Sequence, residues 1–168
     1  MNFREMLPFL TEGIHGTYAG VRFDPLTVRD LMIMQDMLNL PNRLDPEKFH
    51  STLLYSRKPL PNYVPFGVYP VNPTSDTNEF DLKVFKTASG KNALVLAYAS
   101  TFLSNRHSEL MKEHGGTWDH PSFIPHITLS YDIGDMKIEL GPTSFISDRK
   151  IVIIEEYGDD IDPSWTGK

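Results

Sequence analysis

HSTLLY (residues 50–55) and HITLSY (residues 126–131) carry histidine, threonine, leucine and tyrosine at the same four places. The core of the echo, H-x-T, is weak by itself, because chance supplies about 0.4 copies in a chain of this composition. A third copy, His15-Gly16-Thr17, lies in GIHGTYAG, where two glycines argue against a strand at the histidine, and it is set aside. The other two gain weight from their surroundings. Thr17, opening the predicted strand TYAGVRF, stands thirty-three residues before His50, and Ala93, in the predicted strand NALVLAYAS, thirty-three before His126. Between strand and motif, each half carries a helical pattern. Asp24-Pro25 caps the first, with Val28, Leu31, Met34 and Leu38 at helical spacing and Pro41 beyond its end. The second spans TFLSNRHSELMKEH (101–114), with Leu103, Leu110 and Met111 on one side and Gly115-Gly116 closing it. A strand–helix–strand unit used twice predicts two lobes related by a pseudo-twofold axis.

Strand geometry gives the hexads a meaning. Side chains alternate faces, so His50 and Thr52 should share one face, with Leu53 and Tyr55 on the other. In the second copy His126, Thr128 and Ser130 form a polar face backed by Ile127, Leu129 and Tyr131. With both strands near the axis, two histidines and two threonines converge on one pocket. Histidine's ordinary pKa, about 6.5, lets one ring be neutral and the other protonated near neutral pH. The neutral ring can take a proton from an attacking hydroxyl while the protonated ring hands one to a leaving oxygen, a pairing worth roughly 10²–10⁴-fold in rate. The threonine hydroxyls can donate to non-bridging phosphoryl oxygens. Neither hexad contains the carboxylates of a dinuclear site, so no metal or other cofactor is expected. His107, His114 and His120 are spaced too widely for a helical chelate and read as solvated surface residues.

The rest of the chain sets limits. Its 168 residues fit a single domain, with lobe 1 over about 17–56, lobe 2 over about 80–131 and a C-terminal strand over about 150–156 returning to the sheets. Residues 57–78 hold five prolines and read as a long surface connection, while EFDLKVFK (79–86) alternates as a strand. Residues 1–16 read as a helical or irregular lead-in. The chain has no cysteine, no apolar run approaching the ~20 residues of a membrane span and no signal-peptide pattern, so a soluble protein of the reducing cytoplasm is expected. A net charge of −6, with no visible basic stripe, argues against long nucleic acid and for a small ligand enclosed by a few donors.

The paired motifs, with a strand–helix–strand unit before each, resemble the 2H phosphoesterases, and the likeness covers nearly the whole chain. Within that superfamily LPNRLDPEKFHSTLLYSRKPLP, SYDIGD and EEYG are most similar to the phage anti-CBASS phosphodiesterases. The resemblance implies an α+β fold of two pseudo-twofold-related lobes of antiparallel sheet, helices outside and a cleft between. It implies a metal-independent phosphodiesterase that destroys cyclic di- and trinucleotide signals such as 3′3′-cGAMP in the host bacterial cytoplasm, with no membrane partner. His50 and His126 would be catalytic, assisted by Thr52 and Thr128. Tyr18 matches an aromatic lining the nucleotide pocket, and Phe85 falls where the family has a base-stacking tryptophan. One of Glu155 and Glu156 matches an acid that contacts a base edge. Trp118 in the loop GGTWDHPSF reads as a packing anchor or a cover for the ligand. Two rivals remain. One is a 2H enzyme acting on RNA ends, 2′,3′-cyclic phosphates or 2′,5′-oligoadenylates; the other is a non-catalytic nucleotide binder.

Overall fold

Each half of the chain opens with a strand, caps a helix and closes on its motif strand. The computed structural model describes residues 16–161, so the expected lead-in up to His15 lies outside the described residues, and Gly16, at its end, instead opens the first strand. In chain order come β1 (Gly16–Phe23), α1 (Pro25–Met37), a single turn of 3₁₀ helix at Pro46–Lys48, β2 (Ser51–Ser56) and β3 (Gly67–Val68). Then follow β4 (Phe80–Lys86), β5 (Asn92–Ala97), α2 (Thr101–Glu113), β6 (His126–Ser130), β7 (Gly141–Thr143) and β8 (Ile153–Ile161). The duplication extends to the helix caps. Asp24 Oδ1 accepts the Thr27 amide at 2.7 Å, and Ser100 Oγ, seventy-six residues on, accepts the Leu103 amide at 3.1 Å. Both helices then run thirteen residues.

Two four-stranded antiparallel sheets result, one ordered β2-β1-β8-β3 and the other β6-β5-β4-β7. The C-terminal strand pairs along the whole of β1 and runs to Ile161, beyond the expected end. The proline-rich connection contributes β3 at the edge of the first sheet. The short β7, which no alternation signalled, closes the edge of the second. One apolar core runs through both halves, with Leu31, Leu53, Leu54, Leu94, Leu96, Leu103, Leu110, Ile127 and Leu129 fully buried. Among the described residues, no helix is long and apolar enough to cross a membrane.

The halves interlock, which simple lobe boundaries do not convey. Gln35 on α1 donates to the Leu129 carbonyl of β6 at 2.9 Å, and His107 on α2 meets the Leu53 carbonyl of β2 at 2.7 Å. Each helix therefore reaches the motif strand of the opposite sheet. The connector after each helix does the same. Asn42 and Leu44 hydrogen-bond to Tyr131 and Leu129 along β6, while Thr117 bonds Ser56 and Arg57 at the end of β2. A Cβ on Gly116 in the second connector would lie 2.8 Å from a Leu54 methyl and 3.2 Å from the Leu110 carbonyl, so a side chain there would push on Leu54 in the core.

Candidate active site

Both hexads break strict alternation at the same residue. On β1, Ala19 pairs with Leu54 and Gly20 with Thr52, leaving Leu53 as an extra residue on β2. On β5, Leu94 pairs with Ser130 and Val95 with Thr128, leaving Leu129 as the extra residue on β6. These are matching β-bulges at the shared leucine, and a bulge shifts the following side chains to the other face. Tyr55 and Tyr131, expected behind the sheets, instead stand beside Thr52 and Thr128. The leucine carbonyls that the bulges expose are those met by His107 and Gln35. The expectation that Leu53 shares a face with Tyr55, and Leu129 with Tyr131, is therefore corrected. The echoed hexad is a device for aiming histidine, threonine and tyrosine the same way.

All six of those side chains line one cavity of about 1080 Å³ between the sheets. That is just above the ~300–1,000 Å³ typical of pockets for drug-sized ligands. Neither helix contributes to its wall, so the helices cover the far faces of the sheets. The imidazoles are held in the same way. His50 Nδ1 lies 2.8 Å from the carbonyl of Lys48, and His126 Nδ1 lies 2.8 Å from that of Ile124, each two residues upstream. A carbonyl can only accept, so each Nδ1 carries the proton, and each Nε2 is left to exchange protons with a ligand. A shared clamp adds to this: Ser51 Oγ donates to the His126 carbonyl at 2.7 Å, tying the first motif strand to the backbone of the second histidine.

The two rings differ in surroundings. Partial burial lowers the pKa of His126, the Ile124 carbonyl opposes that shift, and the charges of His50 and His120 add to it. His126 is thereby biased toward its neutral, proton-accepting form. The Phe85 ring meets His126 edge-on at 5.0 Å between centroids, and Tyr18 meets His50 edge-on at 6.3 Å. Tyr18 Oη lies 3.1 Å from Thr52 Oγ1. Lys86 and Lys91 are among the lining residues on the second-sheet side, and Asp159 and Asp160 on the β8 side. Arg57 also lies near, but its guanidinium is engaged by both carboxylate oxygens of Asp119. Among the described residues, no group of three or more histidine and acidic side chains could hold a metal ion.

Residues 15–168 match the family model described as Anti-CBASS protein Acb1. The chain belongs to the Acb1 family. It is 38% identical over 150 residues to an Anti-CBASS protein Acb1 of Acinetobacter phage Ac42, covering 89% of this chain and 93% of that one. It is 36% identical over 153 residues to the protein of that description from Enterobacteria phage T4, covering 89% and 91%. Among solved structures, E. coli LigT complexed with 3′-AMP aligns with a TM-score of 0.43 at 11% identity, covering 88% of this chain and 97% of that one.

Not every residue singled out in this Acb1-family sequence reaches the cavity. His50, Thr52, His126, Thr128, Tyr18, Phe85 and Trp118 line it. Trp118 is also an anchor: its ring packs edge-on against His107 at 4.8 Å, and its Nε1 donates to the Ser122 carbonyl at 3.0 Å. Glu156 does not line the cavity. It is buried on the opposite face of β8, where Arg106 grips both its oxygens at 2.8 and 2.9 Å and Tyr63 donates at 2.7 Å. Burial pushes its pKa up, but the Arg106 hydrogen bonds, the Tyr63 hydroxyl, the Arg106 charge and the Phe66 amide outweigh that and leave it below the usual range. Glu155 shares the face of Tyr157 and Asp159 by alternation, yet lies beyond the cavity wall, 3.4 Å from Arg22. The solvated reading of His107 is corrected too. It is 9% exposed, bonded to the Leu53 carbonyl and stacked on Phe123 at 4.2 Å. Sequence reasoning missed Tyr157, Lys86, Lys91 and His120 as lining residues. Tyr55 and Tyr131 carried a signal, their shared place in the hexads, which regular alternation overrode.

Proposed function

We propose that this chain is a phosphodiesterase that cleaves cyclic di- and trinucleotide signals, 3′3′-cGAMP among them, and so lets a phage escape the CBASS immunity of its host. The observation that carries the proposal is the matched pair of imidazoles. Each has Nδ1 tied to the main chain two residues upstream, and both line one cavity beside a threonine. Family membership supports the anti-CBASS role.

In this reading His126, biased neutral, takes the proton of a ribose 2′-hydroxyl on its Nε2. The 2′-oxygen attacks the adjacent phosphorus as the bond from phosphorus to the 5′-oxygen breaks. His50, protonated, gives its Nε2 proton to that departing oxygen. Thr52 and Thr128 donate hydrogen bonds to the non-bridging oxygens, where charge accumulates. A 2′,3′-cyclic phosphate is left, and water opens it with the imidazole roles exchanged. Two imidazoles carry both proton transfers, so the chemistry asks for no metal. Tyr55, Tyr131, Phe85 and Tyr18 supply faces for bases, and Lys86 and Lys91 supply positive charge for phosphates.

A panel of cyclic and linear oligonucleotides, incubated with the protein in excess EDTA, tests the substrate class. Cleavage of 3′3′-cyclic dinucleotides under chelation is expected. If RNA ends or 2′,5′-oligoadenylates were processed while every cyclic dinucleotide survived, the substrate class would be wrong. Loss of activity on chelation would refute the metal-free chemistry, and binding without turnover would favour a sequestering protein.

A further inference from the structure

Thr52 sits opposite a glycine. Gly20 is its cross-strand partner on β1, and the space that a side chain would take there is filled by two phenolic oxygens. A Cβ on Gly20 would lie 2.8 Å from Tyr18 Oη and 2.9 Å from Tyr157 Oη. The two hydroxyls are in reach of each other, Tyr157 donating to Tyr18 at 3.5 Å, and Tyr18 Oη reaches Thr52 Oγ1 at 3.1 Å. The outer member is braced, because the Arg22 guanidinium lies 3.8 Å over the Tyr157 ring. The inner member is buried, and desolvation pushes its pKa well above the usual tyrosine value, so it keeps its proton.

We propose that Tyr18 and Tyr157, seated over the bare backbone of Gly20, form a hydroxyl relay that fixes Thr52 as a hydrogen-bond donor to the phosphoryl group. A threonine hydroxyl has one proton and two lone pairs. When a lone pair of Oγ1 accepts from Tyr18, the threonine proton is left for the ligand, and the side chain is held in one rotamer. Donation from Tyr157 into Tyr18 favours that direction along the chain. Tyr18 thus acts through Thr52 as a positioning residue, a role separate from any base its ring touches. Glycine is required at position 20 because any side chain would displace both phenols.

The inference rests on the proposed phosphodiesterase, and its test separates the two. Turnover of a 3′3′-cyclic dinucleotide is measured for the unmodified protein, H50A, Y18F, Y157F, T52V, G20A and the pairs Y18F/T52V and Y157F/T52V, with thermal unfolding as the check on folding. Y18F keeps the ring and loses the hydroxyl. It should lower kcat by about 3–10-fold, the worth of one hydrogen bond, with KM little changed. T52V should cost more, and in its background Y18F and Y157F should cost nothing further, since their route to the substrate has gone. G20A should reproduce the Y18F loss in kcat. Full kcat in Y18F, or losses that multiply in the double variants, would overturn the relay while leaving the phosphodiesterase standing. Absence of turnover by the unmodified protein, or undiminished turnover by H50A, would overturn the function and the relay together. If Y18F did not fold, the Y157F pair would decide by the same non-additivity.

Discussion

His50 and His126 share one anchoring geometry but not one environment, and that difference underlies the opposite first roles proposed for them. His126 is held below the usual histidine range by burial and by neighbouring imidazoles, so in the proposed mechanism it accepts the first proton and His50 donates one. His50→Ala and His126→Ala should each lower the rate by at least ~10²-fold. A substrate whose bridging 5′-oxygen is replaced by sulfur loses its leaving group as a thiolate, which needs no proton. It should restore most of the rate to His50→Ala and little to His126→Ala, and rescue in the reverse order would exchange the roles. The acid limb of kcat/KM reports the base, so it should fall below the ordinary ~6.5 of a histidine. A limb at or above that value would contradict the assignment.

At the scale of the element, the bulged strand is the unit of design. The leucine shared by the hexads adds one residue to each motif strand, and a helix of the opposite half holds its carbonyl. Gln35 Nε2 serves two carbonyls at once, those of Leu44 at 3.1 Å and Leu129 at 2.9 Å. Gln35→Ala should cost about 1–3 kcal/mol, the penalty for stranding buried acceptors, read by urea unfolding. A change within about 0.5 kcal/mol would mean that the carbonyls find other donors. Tyr131, 39% exposed on the cavity rim because of the bulge, is placed to stack on a base. Tyr131→Ala should raise KM by about fivefold or more and spare kcat, since base–aromatic stacking is worth ~1–3 kcal/mol. An unchanged KM would remove it from the ligand's path. The longer strands, both helices and the facing of His50, Thr52, His126 and Thr128 were legible because they depend on local periodicity and on the repeat, whereas the short edge strands β3 and β7 were not. The bulges were not, since an extra residue shows only against a partner strand. For the same reason His107 looked solvated: the carbonyl it serves lies fifty-four residues away.

For the molecule as a whole, the interlocked halves make the site and the fold one cooperative object. Each motif strand is held by the helix and connector of the other half, so distortion of one half is felt at the histidine of the other. Acid should expose this coupling. The folded-state pKa values of His107 and His126 are lowered, with burial the leading cause in each. An unfolded chain takes up those protons near pH ~6.5 and the folded chain later, so stability is complete above that value and is lost as pH falls. Glu156, lowered by its Arg106 pair, adds a further loss as pH drops below the ordinary carboxylate range. Thermal unfolding across pH 4–8 should show a midpoint that declines below about 6.5. A midpoint that rose toward pH 5 would contradict the burial of these groups. In the proposed function an acidic chain can still take a phosphate ligand, because Lys86 and Lys91 are among the lining residues contributed by the second sheet, whereas Asp159 and Asp160 come from β8.

Product analysis on a 3′3′-cyclic dinucleotide and its 2′-deoxy analogue, in excess EDTA, bears most directly on the claim that two imidazoles act on one phosphorus. The ribose substrate should open first to a product ending in a 2′,3′-cyclic phosphate, the deoxy analogue should survive, and neither His50→Ala nor His126→Ala should yield appreciable product. Cleavage of the deoxy analogue, or a rate untouched by either substitution, would contradict it.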